Sequence, residues 1–296
     1  METNVHQTLY PLVRDYMNAL GTSRTTVVAL KSYIEAVRRL ACDDDQFRSS
    51  LLALNTVIRE TEPKVVPLVH LIEEFEDELQ ASREKDLAAA KSVVFKILQN
   101  KLQRFEADTL KLSEQCTSLI EPNDFIIAHS PTAYIRDGFV RAHNELKRPF
   151  KVLVLKQDFL RTKDLVNAFD AHKIDYLLIP EHNLSHYLGQ TDKLFISAVT
   201  ITAEGQAITG PGTANVVSIC HAYKVPVFLF AESLKFSHRL LPEQRIHKKE
   251  CDTMESDCRF QMTSFSHDFV GLNMVDHLYT EKGETAKSSG AGPLSP

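Results

Sequence analysis

The chain has 296 residues, 43% hydrophobic and 25% charged, with a formal net charge of −5. That length and balance suit a soluble protein of one large or two smaller domains. The negative charge argues against a general nucleic-acid binder, and no apolar run approaches membrane-spanning length.

No N-terminal segment reads as a signal peptide. The five cysteines, Cys42, Cys116, Cys220, Cys251 and Cys258, are scattered and odd in number, which points to a reduced, cytoplasmic protein. Cys251 and Cys258 lie near His247 and His267 in sequence, but their spacing matches no compact zinc motif, so no metal is expected.

From Val5 to Ser118 the pattern is helical throughout. Leu9, Leu12, Val13 and Tyr16 form a first apolar face. Thr22 or Ser23 is placed to cap the next helix, along which Val27, Leu30, Ile34 and Val37 recur at helical spacing. Asp43 to Asp45 interrupts it, and Phe47, Leu51, Leu54 and Ile58 make a third stripe. Glu62 to Leu68, with Pro63 and Pro67, marks a turn and a new start. From Ser82 to Ser118 runs the longest pattern, with Leu87, Ala90, Val94, Leu98, Leu102 and Phe105 on one side.

Pro122-Asn123-Asp124 is the expected domain boundary, dividing a helical domain (1–120) from a second domain (121–283). After it, short apolar strands alternate with helices. Strands are read at Phe125–Ala128, Val152–Leu155, Tyr176–Ile179, Leu194–Ala198 and Val225–Phe230. Helices are read at Thr132–Leu146, Lys163–His172 and Leu184–Leu188, with another after the Gly210-Pro211-Gly212-Thr213 turn. This alternation predicts an α/β fold, an all-helical N-terminal domain followed by a Rossmann-like parallel sheet covered on both faces. His238 to Arg259 reads as a polar surface loop, Phe260 to Phe265 as a short extended piece, and residues 284–296 as a disordered tail.

In such folds ligands gather beyond the carboxyl ends of the strands. Two turns there carry the candidate site. After the first strand come His129, Ser130 and Thr132, with Ser130 and Thr132 placed to cap the next helix and help hold an anion. At the glycine turn, Gly212, Thr213 and Asn215 open a helix whose free N–H groups suit a phosphate. Lys235 follows the last strong strand and is spaced to pair with Glu232, as an exposed ion pair.

The glycine turn with its Gly212-Thr213 helix start, followed by His221-Ala222-Tyr223-Lys224 and the run from Val225 to Phe236, resembles the alpha, beta and delta regulatory subunits of eukaryotic translation initiation factor 2B. The segments Ser266-His267-Asp268 and Tyr279 to Gly283 are similar to that family's closing stretch. The same superfamily contains methylthioribose-1-phosphate isomerase and ribose-1,5-bisphosphate isomerase. The resemblance implies a catalytic cysteine and aspartate in the isomerases at the positions that here hold Ser130 and Val199. It also implies an Asn-Gly and a lysine around the glycine turn, where this chain has Glu204-Gly205 and Pro211. The resemblance therefore implies a non-catalytic regulatory or scaffold subunit with no cofactor. Its expected partners are a second copy or related exchange-factor subunits and the alpha subunit of initiation factor 2. The alternative is a sugar-phosphate or nucleotide-binding enzyme on the same fold, with a small phosphorylated ligand.

Overall fold

The structure, a computed structural model, describes residues 2–40, 43–60, 64–81, 87–156, 159–237, 239, 246–255 and 258–286. The chain divides into two compact units, Met1–Lys111 and Leu112–Pro296.

The first unit is helical. It contains α1 (Glu2–Arg39), α2 (Asp44–Glu60), α3 (Val66–Ala81) and the larger part of α4 (Leu87–Ser118). The stripes read from the sequence supply its core: Leu30, Ile34, Val37, Phe47, Leu51, Val94, Leu98 and Phe105 are buried. Leu9, Leu12, Val13 and Tyr16 lie on α1, but their side chains fall outside the described residues. Gly21 kinks α1 at φ 75° where a cap was expected. The hydroxyls of Thr25 and Thr26 donate back to Gly21 O (2.8 Å) and Thr22 O (2.9 Å) one turn earlier. A polar chain crosses the unit. The Tyr33 hydroxyl donates to Asn55 Oδ1 (2.6 Å), Asn55 Nδ2 to Glu76 Oε1 (3.0 Å), and Arg59 Nη1 to Glu76 Oε2 (2.8 Å). Burial, with the Glu76 carboxylate adding to it, pushes the Tyr33 phenol above its ordinary range, so it serves as a donor.

The second unit is built on a sheet. Its strands are β1 (Phe125–Ala128), β2 (Lys151–Lys156), β3 (Asp175–Pro180), β4 (Lys193–Ser197), β5 (Thr200–Ile201), β6 (Gln206–Thr209), β7 (Val227–Phe230), β8 (Lys248–Glu255), β9 (Cys258–Phe265), β10 (Asp268–Gly271), β11 (His277–Thr280) and β12 (Gly283–Glu284). Its helices are α5 (Ala133–Asn144), α6 (Phe159–His172) and α7 (Thr213–Ala222). Among the described residues the main sheet has the order β12-β11-β7-β4-β1-β2-β3, parallel except for β12.

Successive strand residues point to opposite faces, and both faces are covered. Ile127, Leu153, Leu155, Leu194, Ile196 and Leu229 pack with Val216, Val217 and Cys220 of α7. Ile126, Val152, Val154, Phe195 and Phe228 pack with Tyr134, Ile135 and Phe139 of α5, Phe169 of α6, and Leu112 and Cys116 at the end of α4. Those last contacts draw the unit boundary back into α4, ahead of the expected position near residue 120. Arg148 closes that helix. Its Nη1 donates to the carbonyls of Thr117 (3.3 Å), Ser118 (3.4 Å) and Ile120, at and just beyond the helix end. Asn123 turns the chain at φ 72°, a conformation asparagine tolerates better than most residues.

Three departures from the sequence reading matter. Between β4 and α7 the chain does not run straight to the glycine turn. It makes β5 and β6, which with β10 form a small antiparallel sheet. The stretch read as a surface loop from 238 to 259 contains β8, paired antiparallel with β9 from Lys248↔Phe265 to Glu255↔Cys258. Its Lys- and Glu-rich strand lacks the apolar alternation from which strands are read. Glu284, read as the first residue of the tail, pairs with Tyr279 beside the Gly283–Thr280 pair, and the rest of the expected tail from 287 lies outside the described residues.

Gly138 lets α5 approach the end of α4. A Cβ there would lie 2.7 Å from Cys116 Sγ and 3.2 Å from Ser113 O. Gly138→Ala is expected to destabilise the protein by about 1–3 kcal/mol through overpacking, outweighing the roughly 1 kcal/mol gain in helix propensity. Urea denaturation measures it, and Cys116→Ala in the same chain should recover part of the loss.

Candidate functional site

Along the main sheet the connection direction reverses between β1 and β4, with β2 and β3 to one side and β7 and β11 to the other. At such a reversal the chain segments leaving the carboxyl ends diverge and open a crevice. The turns after β1, β4 and β7 meet at this end.

After β1, His129 is wholly buried and its N–H donates to Phe195 O of β4 (3.2 Å). Ser130 follows at φ 50°, a strained conformation for a non-glycine residue. The Ser197 hydroxyl, at the end of β4, donates to Ser130 O (2.7 Å) and holds that turn in place. Neither Ser130 nor Thr132 caps α5 in the way expected. Thr132 occupies the N-cap position and its carbonyl accepts from Arg136 N–H (3.1 Å), but its side chain makes no capping bond. Ser130 lies two residues ahead of that N-cap position.

The glycine turn comes to the same place. Gly212 caps α7 at φ 86°, and the Thr213 hydroxyl donates its one proton to Gly210 O (2.6 Å). The same oxygen lies 3.2 Å from His129 Nδ1, so Nδ1 is the donor in that contact. Nε2 then faces Glu181 Oε2 at 3.5 Å. The structure thus brings His129, Gly212 and Thr213 together. Asn215 sits on the outer side of α7, exposed. Val199, half-buried, donates its N–H to Ile208 O (2.7 Å) as part of the small sheet.

Two carboxylates that the sequence reading missed stand at this turn. Glu181 opens a short 3-10 helix (Glu181–His186) after β3, and Asp268 begins β10. Asp268 Oδ2 accepts from the Ala214 N–H in the first turn of α7 (3.1 Å).

After β7 the chain buries charge. Glu232 and Lys235 form an ion pair of 2.8 Å with side chains 2% and 0% exposed, so the exposed pair expected from their spacing is in fact deep in the protein. The ammonium also lies 5.4 Å from the Tyr134 ring centroid and 3.4 Å from its hydroxyl, which donates to Phe230 O (3.0 Å). Burial, then the Glu232 carboxylate, drives the Tyr134 phenol well above its ordinary range. Glu281, just beyond β11, fixes the same segment by accepting from the Ser233 N–H (2.9 Å) and hydroxyl. These bonds pin the segment from Ala231 to Phe236 to the sheet.

Thiol chemistry is suppressed at Cys116 and Cys220. Burial pushes the Cys220 thiol up to about 12 and the Cys116 thiol higher still, so both stay protonated and poorly nucleophilic at neutral pH.

The buried pair makes a definite prediction. Removing one partner strands a charge, so Lys235→Met and Glu232→Gln should each destabilise the protein by about 3–5 kcal/mol. The double variant Glu232→Leu/Lys235→Met should cost less than either single change. Chemical denaturation of the three variants measures both statements.

Comparison with known proteins follows the same lines. The model of the initiation factor 2 subunit family (IF-2B) matches residues 6–286. A translation initiation factor eIF2B subunit delta from Dictyostelium discoideum is 19% identical over 289 residues, covering 89% of this chain but only 46% of that protein. A ribose 1,5-bisphosphate isomerase from Pyrococcus furiosus is 22% identical over 279 residues, covering 88% of this chain and 83% of the isomerase. The crystal structure of a translation initiation factor eIF-2B from Pyrococcus horikoshii superposes with a TM-score of 0.76 at 18% identity, covering 93% of this chain and 95% of that one. The fold is therefore shared with that initiation factor eIF-2B structure, and with a family model spanning most of its length the chain belongs to the initiation factor 2 subunit family.

Proposed function

We propose that this chain is a non-catalytic regulatory or scaffold subunit of the initiation factor 2B type, working in the cytoplasm through contacts with other proteins. The observation that carries this reading is the state of the turn after β1. Isomerization of a sugar phosphate requires a group that moves a proton between adjacent carbons and a second group that supports it. At the positions where the resemblance implies a cysteine and an aspartate, this chain has Ser130 and Val199. A valine transfers no proton. Ser130 is buried in a left-handed turn whose carbonyl is held by Ser197. The neighbouring base, His129, directs its Nδ1 to Thr213 and its Nε2 to Glu181. The partners that fit this reading are a second copy or related subunits joined through the sheet unit, with the helical unit meeting the alpha subunit of initiation factor 2. The second reading, a sugar-phosphate-binding protein, draws on the convergence of His129, Gly212 and Thr213 at one turn.

Purified protein is expected to convert neither ribose 1,5-bisphosphate nor methylthioribose-1-phosphate above background in a coupled assay. Ser130→Cys combined with Val199→Asp should not by itself create activity, because Glu204 and Pro211 replace the amide and the lysine implied at the glycine turn. Turnover by the wild type that disappears in Ser130→Ala would overturn the proposal. Native mass spectrometry of the captured protein supplies the positive arm: related subunits should accompany it, and a bound pentose phosphate would favour the second reading.

A further inference from the structure

The ribbon of β8 and β9 takes no part in the site described above. Its eight residue pairs run from Lys248↔Phe265 at the root to Glu255↔Cys258 at the tip. The root is fixed: the Ser266 N–H donates to His247 O (2.9 Å) and the His247 N–H to Ser266 Oγ (2.9 Å). Two residues on, β10 pairs with β6. Beyond the root the ribbon is bare. Alternate residues of a strand face opposite sides, yet every residue of 260–265 is exposed, with Phe260 at 40%, Met262 at 49% and Phe265 at 53%. Among the described residues β9 pairs with β8 alone. A two-stranded ribbon is marginal by itself in water, and a further strand with an apolar face is one way to make it stable.

Charge decides which edge takes that strand. The sequence of β8 includes Lys248, Lys249, Glu250, Asp252 and Glu255, and charged residues guard a strand edge against pairing. In β9 Arg259 is the one charged residue. Two copies of a strand pair antiparallel about a two-fold axis normal to the sheet, which keeps each face on its own side and centres the pairing on a residue. Centred on Lys249, Glu250 or Asp252, two copies of β8 would set that charge against itself, and centred on Cys251 they would set Glu250 against Asp252. Centred on Gln261, two copies of β9 set Phe260 of each opposite Met262 of the other and Arg259 opposite Thr263, with no like charges facing. We propose that β9 joins two copies of this chain edge to edge about Gln261. The result is a four-stranded sheet, β8-β9-β9-β8, with Phe260 and Met262 of both copies on one face and the charged strands outermost. This deepens, and rests on, the part of the proposed function in which copies join through the sheet unit.

The test uses the full chain and reads its dimer dissociation constant by sedimentation over a concentration series. Gln261→Lys and Thr263→Lys each place the new ammonium opposite an acid of their own ribbon, Asp252 and Glu250, so the ribbon itself is kept. Across the two-fold axis the first meets its own counterpart and the second meets Arg259. Each should weaken the dimer at least roughly tenfold, as like charges facing across an interface cost several kcal/mol. Circular dichroism and thermal melting establish that the variants are folded. Cross-linking reads the register. In a chain carrying Cys251→Ser and Cys258→Ser, oxidised glutathione should link Gln261→Cys to its counterpart, because directly opposite Cβ atoms lie about 4.5–5.5 Å apart. Thr263→Cys should stay unlinked, because its two copies would lie roughly 14 Å apart along the strands. A wild type that stays monomeric throughout the micromolar range overturns the proposal, as does equal cross-linking at both positions. A dimer unchanged in Gln261→Lys and Thr263→Lys also overturns it, while leaving intact the reading that copies join through another surface of the sheet unit. None of these results bears on the turnover assay, which judges the non-catalytic assignment separately.

Discussion

The main sheet is parallel and must hide both faces, and the rest of the second unit follows from that requirement. Along each strand alternate residues serve opposite layers, so Ile126 and Ile127, or Phe228 and Leu229, belong to different cores. Helices α5 and α6 with the end of α4 cover one face, and α7 covers the other. With both faces dry, polar side chains have few places left in the interior of the sheet. They collect at its carboxyl ends, where strands stop and backbone groups need partners. His129, Ser130, Ser197, Glu232, Lys235 and Thr213 are all buried there.

Burial at that edge is managed by pairing. Glu232 and Lys235 neutralise each other beneath Tyr134, and Glu281 takes both donors of Ser233. Ser197 fixes the Ser130 turn, and His129 joins β1 to the turn before α7. A network of this kind contributes more to fixing one arrangement of the turns than to net stability, because desolvation offsets much of the attraction. Within it the hydroxyl protons of Ser197 and Thr213 are committed to backbone carbonyls.

The chain's relatives include an initiation factor eIF2B subunit and a ribose 1,5-bisphosphate isomerase, and overall fold does not by itself assign a function between them. At the sheet edge this chain carries Ser130 at a positive φ, and Glu181 and Asp268 beside the start of α7.

The sequence by itself determined the helical first part, the alternation of strands and helices after residue 124, and the meeting of two turns at one end of the sheet. These depend on local periodicity and turn chemistry, which each segment carries alone. Tertiary structure decided the rest. Glu232 and Lys235 are three apart, and that spacing is the same for a solvated pair as for a buried one. Only the covering of β7 and the approach of Tyr134 made it the latter. Glu181 and Asp268 lie far from Gly212 in sequence and in no motif with it, and reach it only because β3 ends and β10 begins beside α7. Of the β8–β9 hairpin, β9 was legible as the extended piece Phe260–Phe265, but β8 was hidden for the opposite reason, since its pairing is local but its strand lacks the one-sided apolar alternation that a covered face imposes. A group's charge and size are written in the chain, but its solvent exposure and its partners are properties of the folded whole.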